Sequence, residues 1–329
     1  MKTPTLNNMF WLVKREFWEH RGGFFWAPVI TGGVLLLINL MILIAAQVMA
    51  AQHGANLHFN GNNFDKMLSD GLNGHLAQVG TALDVVMYSS TLIVGVVLGF
   101  VVFFYCLGAL YDDRRDRSIL FWQSLPISNT STVLSKVVSA TIVAPTICFI
   151  VGVVSGIVLL LVYALALSMH GMNVWQLLTF AHPFRVSLNL LGSIPLYLLW
   201  SLPAVGWLLM CSAWSRSKPF LWAVLLPIGA MLTTGWFNLL GFSVMSAQSL
   251  MHIMGRMLGS VFPGGWLIPD GNTMLVTVKL GDNPNDPLNV LNIQHALFAL
   301  ASPDIWIGAI AGSAMIAAAI WFRRWRDDS

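Results

Sequence analysis

The sequence contains few charged residues. Only 9% of its 329 residues are Asp, Glu, Lys or Arg, whereas 57% are hydrophobic, and the net charge is +3. Soluble domains carry about 25% charged residues, so this composition excludes an ordinary one. The positive charges are not pooled into a patch of the kind that binds nucleic acid, so no nucleic-acid partner is expected.

Cysteine is scarce as well. Cys106, Cys148 and Cys211 all fall inside long apolar runs, which excludes a disulfide framework and a Cys-rich metal site. Packing as small apolar residues is their expected role. His53 and His58 lie in an Asn-rich loop at a spacing that suits metal ligands poorly, so no metal site is predicted.

Six long stretches of the chain contain no charged residue at all. A helix needs about 20 apolar residues to cross a bilayer, and each stretch has this length or nearly so. The sequence therefore predicts an all-α integral membrane protein, with a single transmembrane domain over 1–329. The six predicted spans lie near 27–50, 85–110, 137–168, 186–211, 219–245 and 303–322, the last being free of charge from 305 onward.

Basic residues fall on alternate connectors between these spans. Of the 17 basic residues, 13 lie in the N-terminus, the second-to-third connector, the fourth-to-fifth connector or the C-terminus. The other four are Lys66, Arg185, Arg256 and Lys279. Basic residues are retained on the cytoplasmic side of a membrane, whereas acidic residues count for little. The pattern predicts a multi-pass protein with both termini in the cytoplasm.

Common motifs of ATP binding and of hydrolytic enzymes are missing from the sequence. It has no GxxxxGK[ST] phosphate loop, no HExxH and no GxSxG motif. Proton-coupled carriers need ionisable groups at membrane depth, and here only Asp84, Arg185 and Asp304 flank the outer ends of the spans. If the protein transports a solute, we expect the energy to enter from outside this chain.

The N-terminal segment 5–22, TLNNMFWLVKREFWEHRG, is amphipathic. Apolar residues recur at helical spacing with charged residues on other faces, a pattern typical of a helix lying in the membrane interface. We expect such an elbow helix here, with Gly22-Gly23 permitting a bend into the first span; a plain cytoplasmic leader is the alternative. The residues assigned to the elbow are Lys14, Arg15, Phe17, Trp18 and Glu19.

Two predicted outer segments have helical character. The connector 51–84 becomes periodic toward its end, which indicates a helix that feeds the second span. In the larger outer segment, 246–302, the sequence predicts an amphipathic helix near 245–259, a Gly/Pro-rich stretch at 263–271 and a short helix near 289–300.

Small and polar residues within the spans suggest close packing and a candidate path. Glycine pairs at GxxxG spacing allow helices to approach closely. These pairs are Gly95/Gly99, Gly152/Gly156 and Gly308/Gly312. A few deeper side chains are candidates to line a translocation path, although packing is the favoured role for the tryptophans. These candidates are Trp200, Trp207, Thr233, Thr234 and Trp236.

The second-to-third connector combines charge with apolar surface. Six charged residues in a row are followed by Ile119, Leu120 and Trp122, then by a helix-stopping Leu-Pro and by Ser128, which can cap the third span. A short helix of this kind suits docking into a cleft on a soluble partner, and a solvated loop is the alternative. The residues assigned to such docking are Asp112, Asp113, Arg114, Arg115, Asp116, Arg117, Leu125 and Pro126.

Taken together, LVKREFWEHRG, the six spans and DDRRDRSILFWQSLPIS resemble the permease subunits of type-2 ATP-binding-cassette (ABC) exporters over the whole chain. The resemblance implies that Asp112 to Arg117 lie in or near a coupling helix that ends at Leu125-Pro126. Where that family usually has Gly-Thr this chain has Ser118-Ile119, so the register of the helix is not fixed.

The resemblance also implies partners and a location. A cytoplasmic ABC ATPase subunit would bind ATP and Mg²⁺, so this chain would hold no cofactor and would not itself be an enzyme. A second permease copy or a sister permease would complete the path in the bacterial inner membrane, in contact with membrane lipids. A self-sufficient sodium-coupled carrier or channel remains the alternative, and a lipid-acting membrane enzyme is disfavoured because no carboxylate or His cluster faces the membrane interior.

Overall fold

A computed structural model describes residues 6–52, 73–116, 128–168, 181–242, 246–265 and 300–326. Within these ranges the regular secondary structure is entirely helical. The α-helices are α1 (Leu6–Glu19), α2 (Ala27–Gln52), α3 (Asn73–Ala109), α4 (Tyr111–Arg115), α5 (Asn129–Val138), α6 (Ala144–Ser168), α7 (Pro183–Gly192), α8 (Ile194–Trp214), α9 (Pro219–Leu239), α10 (Ala247–Gly259) and α11 (Pro303–Arg326). The prediction of an all-α chain is confirmed for this part of the protein.

In the described residues, six helical stretches are long and apolar enough to cross a membrane, as predicted. We call them spans 1 to 6: Gly22–Met49, Ala82–Arg115, Asn129–Ala166, Pro183–Trp214, Pro219–Leu239 and Pro303–Trp325. Their number and order agree with the charge-free stretches of the sequence, so the protein is a multi-pass membrane protein.

The bounds of spans 3 and 5 differ from the prediction. Span 3 begins at Asn129 rather than 137, because Ser131, Ser135 and Lys136 are buried against the protein and do not face lipid. Ser128 caps it as predicted, its Oγ accepting a hydrogen bond from Ser131 N at 3.1 Å. Span 5 ends at Leu239 rather than 245, shortly before Gly241, whose φ of 86° leaves the helical region.

The described residues include two π-helical turns, each leading directly into an α-helix. Gly22–Trp26 precedes α2 and is separated from α1 by a turn at His20, and Ser139–Val143 joins α5 to α6. The first covers Gly22-Gly23, the position at which a bend into span 1 is predicted.

Spans 2, 3, 4 and 6 form the apolar core. Spans 4 and 6 approach most closely, because a Cβ at Gly206 would overlap the carbonyl oxygen of Gly312. Spans 2 and 3 meet where a Cβ at Gly152 would lie 2.7 Å from Thr91 Cγ2. These contacts confirm the predicted role of the glycines, except that Gly95 and Gly99 receive Pro263 and Phe262 and not another helix.

Spans 1 and 5 lie at the edge of this core and expose most of their apolar side chains. On α9 only Ala223 and Pro227 are buried. Helix α10 confirms the amphipathic helix expected near 245–259, and Asn73 begins the helix expected ahead of span 2. The helix expected near 289–300 and most of the stretch 263–271 lie outside the described residues.

Candidate functional site

Four charged side chains from four separate helices meet at one end of the bundle. Lys136 Nζ of α5 lies 3.2 Å from Glu16 Oε1 of α1 and 3.4 Å from Asp113 Oδ2 of α4. Arg323 Nη1 of α11 lies 3.4 Å from the same Asp113 oxygen. We call Glu16, Lys136, Asp113 and Arg323 the ionic chain, and this end of the bundle the basic end.

The ionic chain is shielded from solvent. The side chains of Glu16 and Lys136 are only 1% and 2% exposed, and Asp113 and Arg323 are also largely covered. Transferring a charge out of water costs several kcal/mol, and a partner repays that cost only in good geometry. Because acidic and basic side chains alternate along the ionic chain, each of its four charges has a counter-ion.

The carboxylate of Glu16 is held ionised by its neighbours. Burial alone would raise the pKa of Glu16, but the charges of Lys136 and Arg15 and hydrogen bonds from Tyr105 and Lys136 bring the pKa below its usual value. Tyr105 donates its hydroxyl to Glu16 Oε2 at 2.9 Å, which ties α1 to span 2. Arg15 Nη2 donates to Glu16 Oε1 at 2.9 Å.

Sequence reasoning missed Glu16 and gave Lys136 no partner. The predicted elbow residues, Lys14, Arg15, Phe17, Trp18 and Glu19, lie around Glu16 without including it. In the structure Leu12 and Glu16 face the protein, whereas Phe10, Trp11 and Trp18 are exposed. The i, i+4 spacing of Leu12 and Glu16 places both on one face of the helix, and this was the sequence signal that could have identified the buried face. A Glu on an amphipathic helix is ordinarily exposed to solvent, so the signal is easily overlooked.

Arg114 joins the end of span 2 to the end of span 4. Its guanidinium donates to the main-chain oxygens of Ser212, Ala213 and Ser215, the latter two at 2.7 and 3.1 Å. In return, Ser212 Oγ accepts hydrogen bonds from Leu110 N at 3.1 Å and from Tyr111 N at 3.0 Å. The last carbonyls of a helix lack partners within the helix and carry partial negative charge, so a guanidinium stabilises them.

The predicted docking residues therefore divide into two groups. Asp113 and Arg114 point into the fold and hold α4 in place, whereas Asp112, Arg115 and Asp116 are exposed at the surface of the basic end. Arg117, Leu125 and Pro126 lie outside the described residues. The exposed residues present both signs of charge on α4, and the contacts of Asp113 and Arg114 hold this helix in position.

The predicted elbow residues lie beside the ionic chain. Arg15 contacts Glu16 and also Glu19, at 3.6 Å from Nε to Oε2. Phe17 packs against the apolar core, and Trp18 is exposed next to Arg21. Lys14 stands 4.9 Å from the ring of Trp11.

The candidate path-lining residues do not come together within one chain. Trp207 is buried and donates Nε1–H to the Ala223 carbonyl at 3.1 Å, and the guanidinium of Arg256 lies 3.7 Å above the ring of Trp200. The hydroxyls of Thr233 and Thr234 bond to carbonyls of their own helix. Those threonines lie on the outward part of span 5 with Trp236, which is 64% exposed.

In the described part of the chain, no group of three or more His, Cys, Asp or Glu side chains is arranged to hold a metal ion. At the end opposite the basic end, Asp84 Oδ1 accepts a hydrogen bond from His182 N at 2.9 Å and its Oδ2 lies 3.4 Å from His182 Nδ1. This pair fixes the start of span 4 against span 2.

Comparison of the chain with protein-family models, with curated proteins and with solved structures finds no match. The geometry of the basic end and the patterns in the sequence are therefore the features that bear on function. Of these, the ionic chain and the Arg114 contacts are the features that connect the most helices.

Proposed function

We propose that this chain is the membrane-spanning permease subunit of an ABC exporter, which forms the translocation path and is driven by a separate ATPase subunit. The basic end faces the cytoplasm, both termini lie there, and the ATPase binds to it, carrying the ATP and Mg²⁺. The membrane is the bacterial inner membrane. The observation that carries the proposal is the attachment of α4 to four other helices through Asp113 and Arg114.

That attachment gives the exposed charges of α4 a mechanical connection to the bundle. Asp113 reaches α1 and span 3 through Lys136 and span 6 through Arg323, and Arg114 reaches the end of span 4. A displacement of α4 by a bound partner is therefore passed to several spans at once. Rigid-body movement of this kind is a common form of switching in proteins.

The exposed side chains beside these anchors suit a protein partner. Asp112, Arg115 and Asp116 present both signs of charge, so they can pair with complementary charges and set the orientation of the partner. A permease without its own nucleotide site needs such a contact, since the sequence has no phosphate-binding loop.

The outward faces of spans 1 and 5 support a second permease, either another copy or a sister chain. Thr233 and Trp236 lie on the outward part of span 5, with Leu232 and Leu239 also exposed. Two such faces placed together would bring Thr233, Thr234 and Trp236 of both chains to the centre of a dimer. The remaining apolar surface contacts membrane lipid.

Co-purification with an ATPase encoded beside this gene tests the proposal. The triple variant D112A/R115A/D116A should lose the complex, whereas D304A, at the opposite end of the bundle, should retain it. We expect ATP hydrolysis in proteoliposomes to respond to the permease only when the complex forms. Solute flux through the chain reconstituted alone would contradict the proposal and favour a sodium-coupled carrier or channel.

A further inference from the structure

A groove lies between the start of span 1 and the last part of span 2. It has a volume of about 610 Å³ and is lined by Glu19, His20, Gly22, Gly23 and Phe24 on one side and by span 2, from Val97 to Asp112, on the other. Its position is at the basic end, on the outside of the bundle, where lipid surrounds the protein.

The length of its apolar part matches one leaflet of a bilayer. Val97 and Gly108 both line the groove on the same helix, and at a rise of 1.5 Å per residue they are about 16 Å apart. Half of a hydrocarbon core of about 30 Å is about 15 Å. Phe100 and Phe104, which line this stretch, are 53% and 59% exposed and present their rings outward.

Two glycines keep the groove open. A Cβ at Gly23 would lie 2.9 Å from Val101 Cγ1, and a Cβ at Gly108 would contact the carboxylate of Asp112. Side chains at these positions would fill the space between the two helices. The groove therefore depends on residues without side chains at its floor and at its mouth.

The mouth of the groove carries negative charge. Glu19 of the N-terminal segment and Asp112 of α4 both line it together with His20, and none of the described residues that line the groove is Lys or Arg. Arg15, which does not line the groove, lies 3.6 Å from Glu19 and leaves the Asp112 carboxylate without that pairing. Two carboxylates at the level of the lipid headgroups attract a cation and can accept its hydrogen bonds. A leaflet-long apolar groove with an acidic mouth fits an amphiphile that has an ammonium head.

We propose that this groove binds a phospholipid of the leaflet at the basic end through a primary ammonium headgroup, as in phosphatidylethanolamine. The ammonium donates to Glu19 and Asp112, and one acyl chain lies along Phe100 and Phe104. Phosphatidylcholine lacks the N–H donors and phosphatidylglycerol lacks the cation, so both bind more weakly. The proposal does not depend on the transport function, because it concerns the chain without a partner.

Photolabelling with a phosphatidylethanolamine that carries a diazirine in one acyl chain tests the site. The probe is added to the full chain in lipid nanodiscs, with phosphatidylcholine and phosphatidylglycerol probes of the same chain length as comparators. We expect peptides containing Phe100 and Phe104 to be labelled by the ethanolamine probe in preference to the other two.

Two variants and one control separate the headgroup contact from the groove itself. E19Q/D112N should reduce labelling by the ethanolamine probe about tenfold, the effect of losing about 1.4 kcal/mol, and reduce labelling by the choline probe less, because choline loses only the charge attraction and no hydrogen bonds. G108L should reduce labelling by all three probes, and D304N should change none. Equal labelling of the wild type by the three probes, or unchanged ethanolamine labelling of E19Q/D112N, would overturn the proposal.

Discussion

Lys136 Nζ lies 3.2 Å from Glu16 Oε1, and this contact joins two residues 120 positions apart in the sequence. Both side chains are almost completely covered by protein. The contact fixes the amphipathic N-terminal helix against the first turns of span 3. Since Lys136 also reaches Asp113, the same ammonium positions α4.

Replacement of Lys136 by Met should destabilise the protein strongly. The substitution removes the ammonium that two covered carboxylates share, and a buried charge left without any partner costs about 3–5 kcal/mol of the free energy of unfolding. Because Glu16 keeps Arg15 and Asp113 keeps Arg323, we expect a loss toward the lower end of that range. Unfolding of the purified protein in mixed micelles measures the loss. R216M removes an exposed cation at the same end and should change the free energy by about 0.5 kcal/mol or less. Equal losses for the two variants would refute the assignment.

Acidification should weaken the contribution of Glu16. Its pKa in the folded state is lowered from the ordinary value of 4.5, so its stabilisation is complete above that value and disappears as pH falls through the folded-state pKa. E16Q should be less stable than the wild type at neutral pH, and the difference should shrink below pH 4.5. Unfolding measured against pH for both proteins gives the comparison, and a difference that does not change with pH would contradict this account.

The substitution R114K should loosen the connection between spans 2 and 4 while keeping the charge. A guanidinium can bond to three carbonyl oxygens in fixed directions, and an ammonium on a flexible stem does so less well. We expect a loss of about 1.5–3 kcal/mol of stability. Protease cleavage of the connector after Ser215 should also become faster. R115K, at an exposed neighbouring position, serves as the control and should leave cleavage unchanged.

A methyl group at Gly206 should separate spans 4 and 6. G206A places a Cβ against the main chain of Gly312, where no side chain can move aside, and overpacking of this kind costs about 1–3 kcal/mol. G229A is the matched control, because a Cβ there meets nothing within 4 Å. Thermal unfolding compares the two, and an equal midpoint for both variants would show that the backbones are not in contact.

The proposed orientation in the membrane can be tested by labelling single cysteines. In a background where Cys106, Cys148 and Cys211 are replaced, a membrane-impermeant thiol reagent added to the outer face of the inner membrane should label A301C but not D116C. Both positions are exposed in the structure, so access depends on the side of the membrane. Labelling of D116C from outside would reverse the topology.

The sequence was a sufficient guide to the spans but not to the ionic chain. Charge-free runs identify membrane helices because a charge at membrane depth is costly, and this argument concerns each helix by itself. Glu16 and Lys136 form a pair only when α1 folds against α5, so local patterns do not reveal it. Lys136 was excluded from span 3 by the same reasoning, although its side chain has a counter-ion inside the protein.

The closeness of Gly206 and Gly312 limits how this protein can change shape. At this point main chain lies against main chain, so no side chain there can re-pack as one helix slides past the other. They should therefore travel as a single stiff unit in any cycle of opening and closing. The helix contacts that open must then involve spans 1 and 5, at the edge of the core. Crosslinks between these spans and their neighbours should stop such a movement.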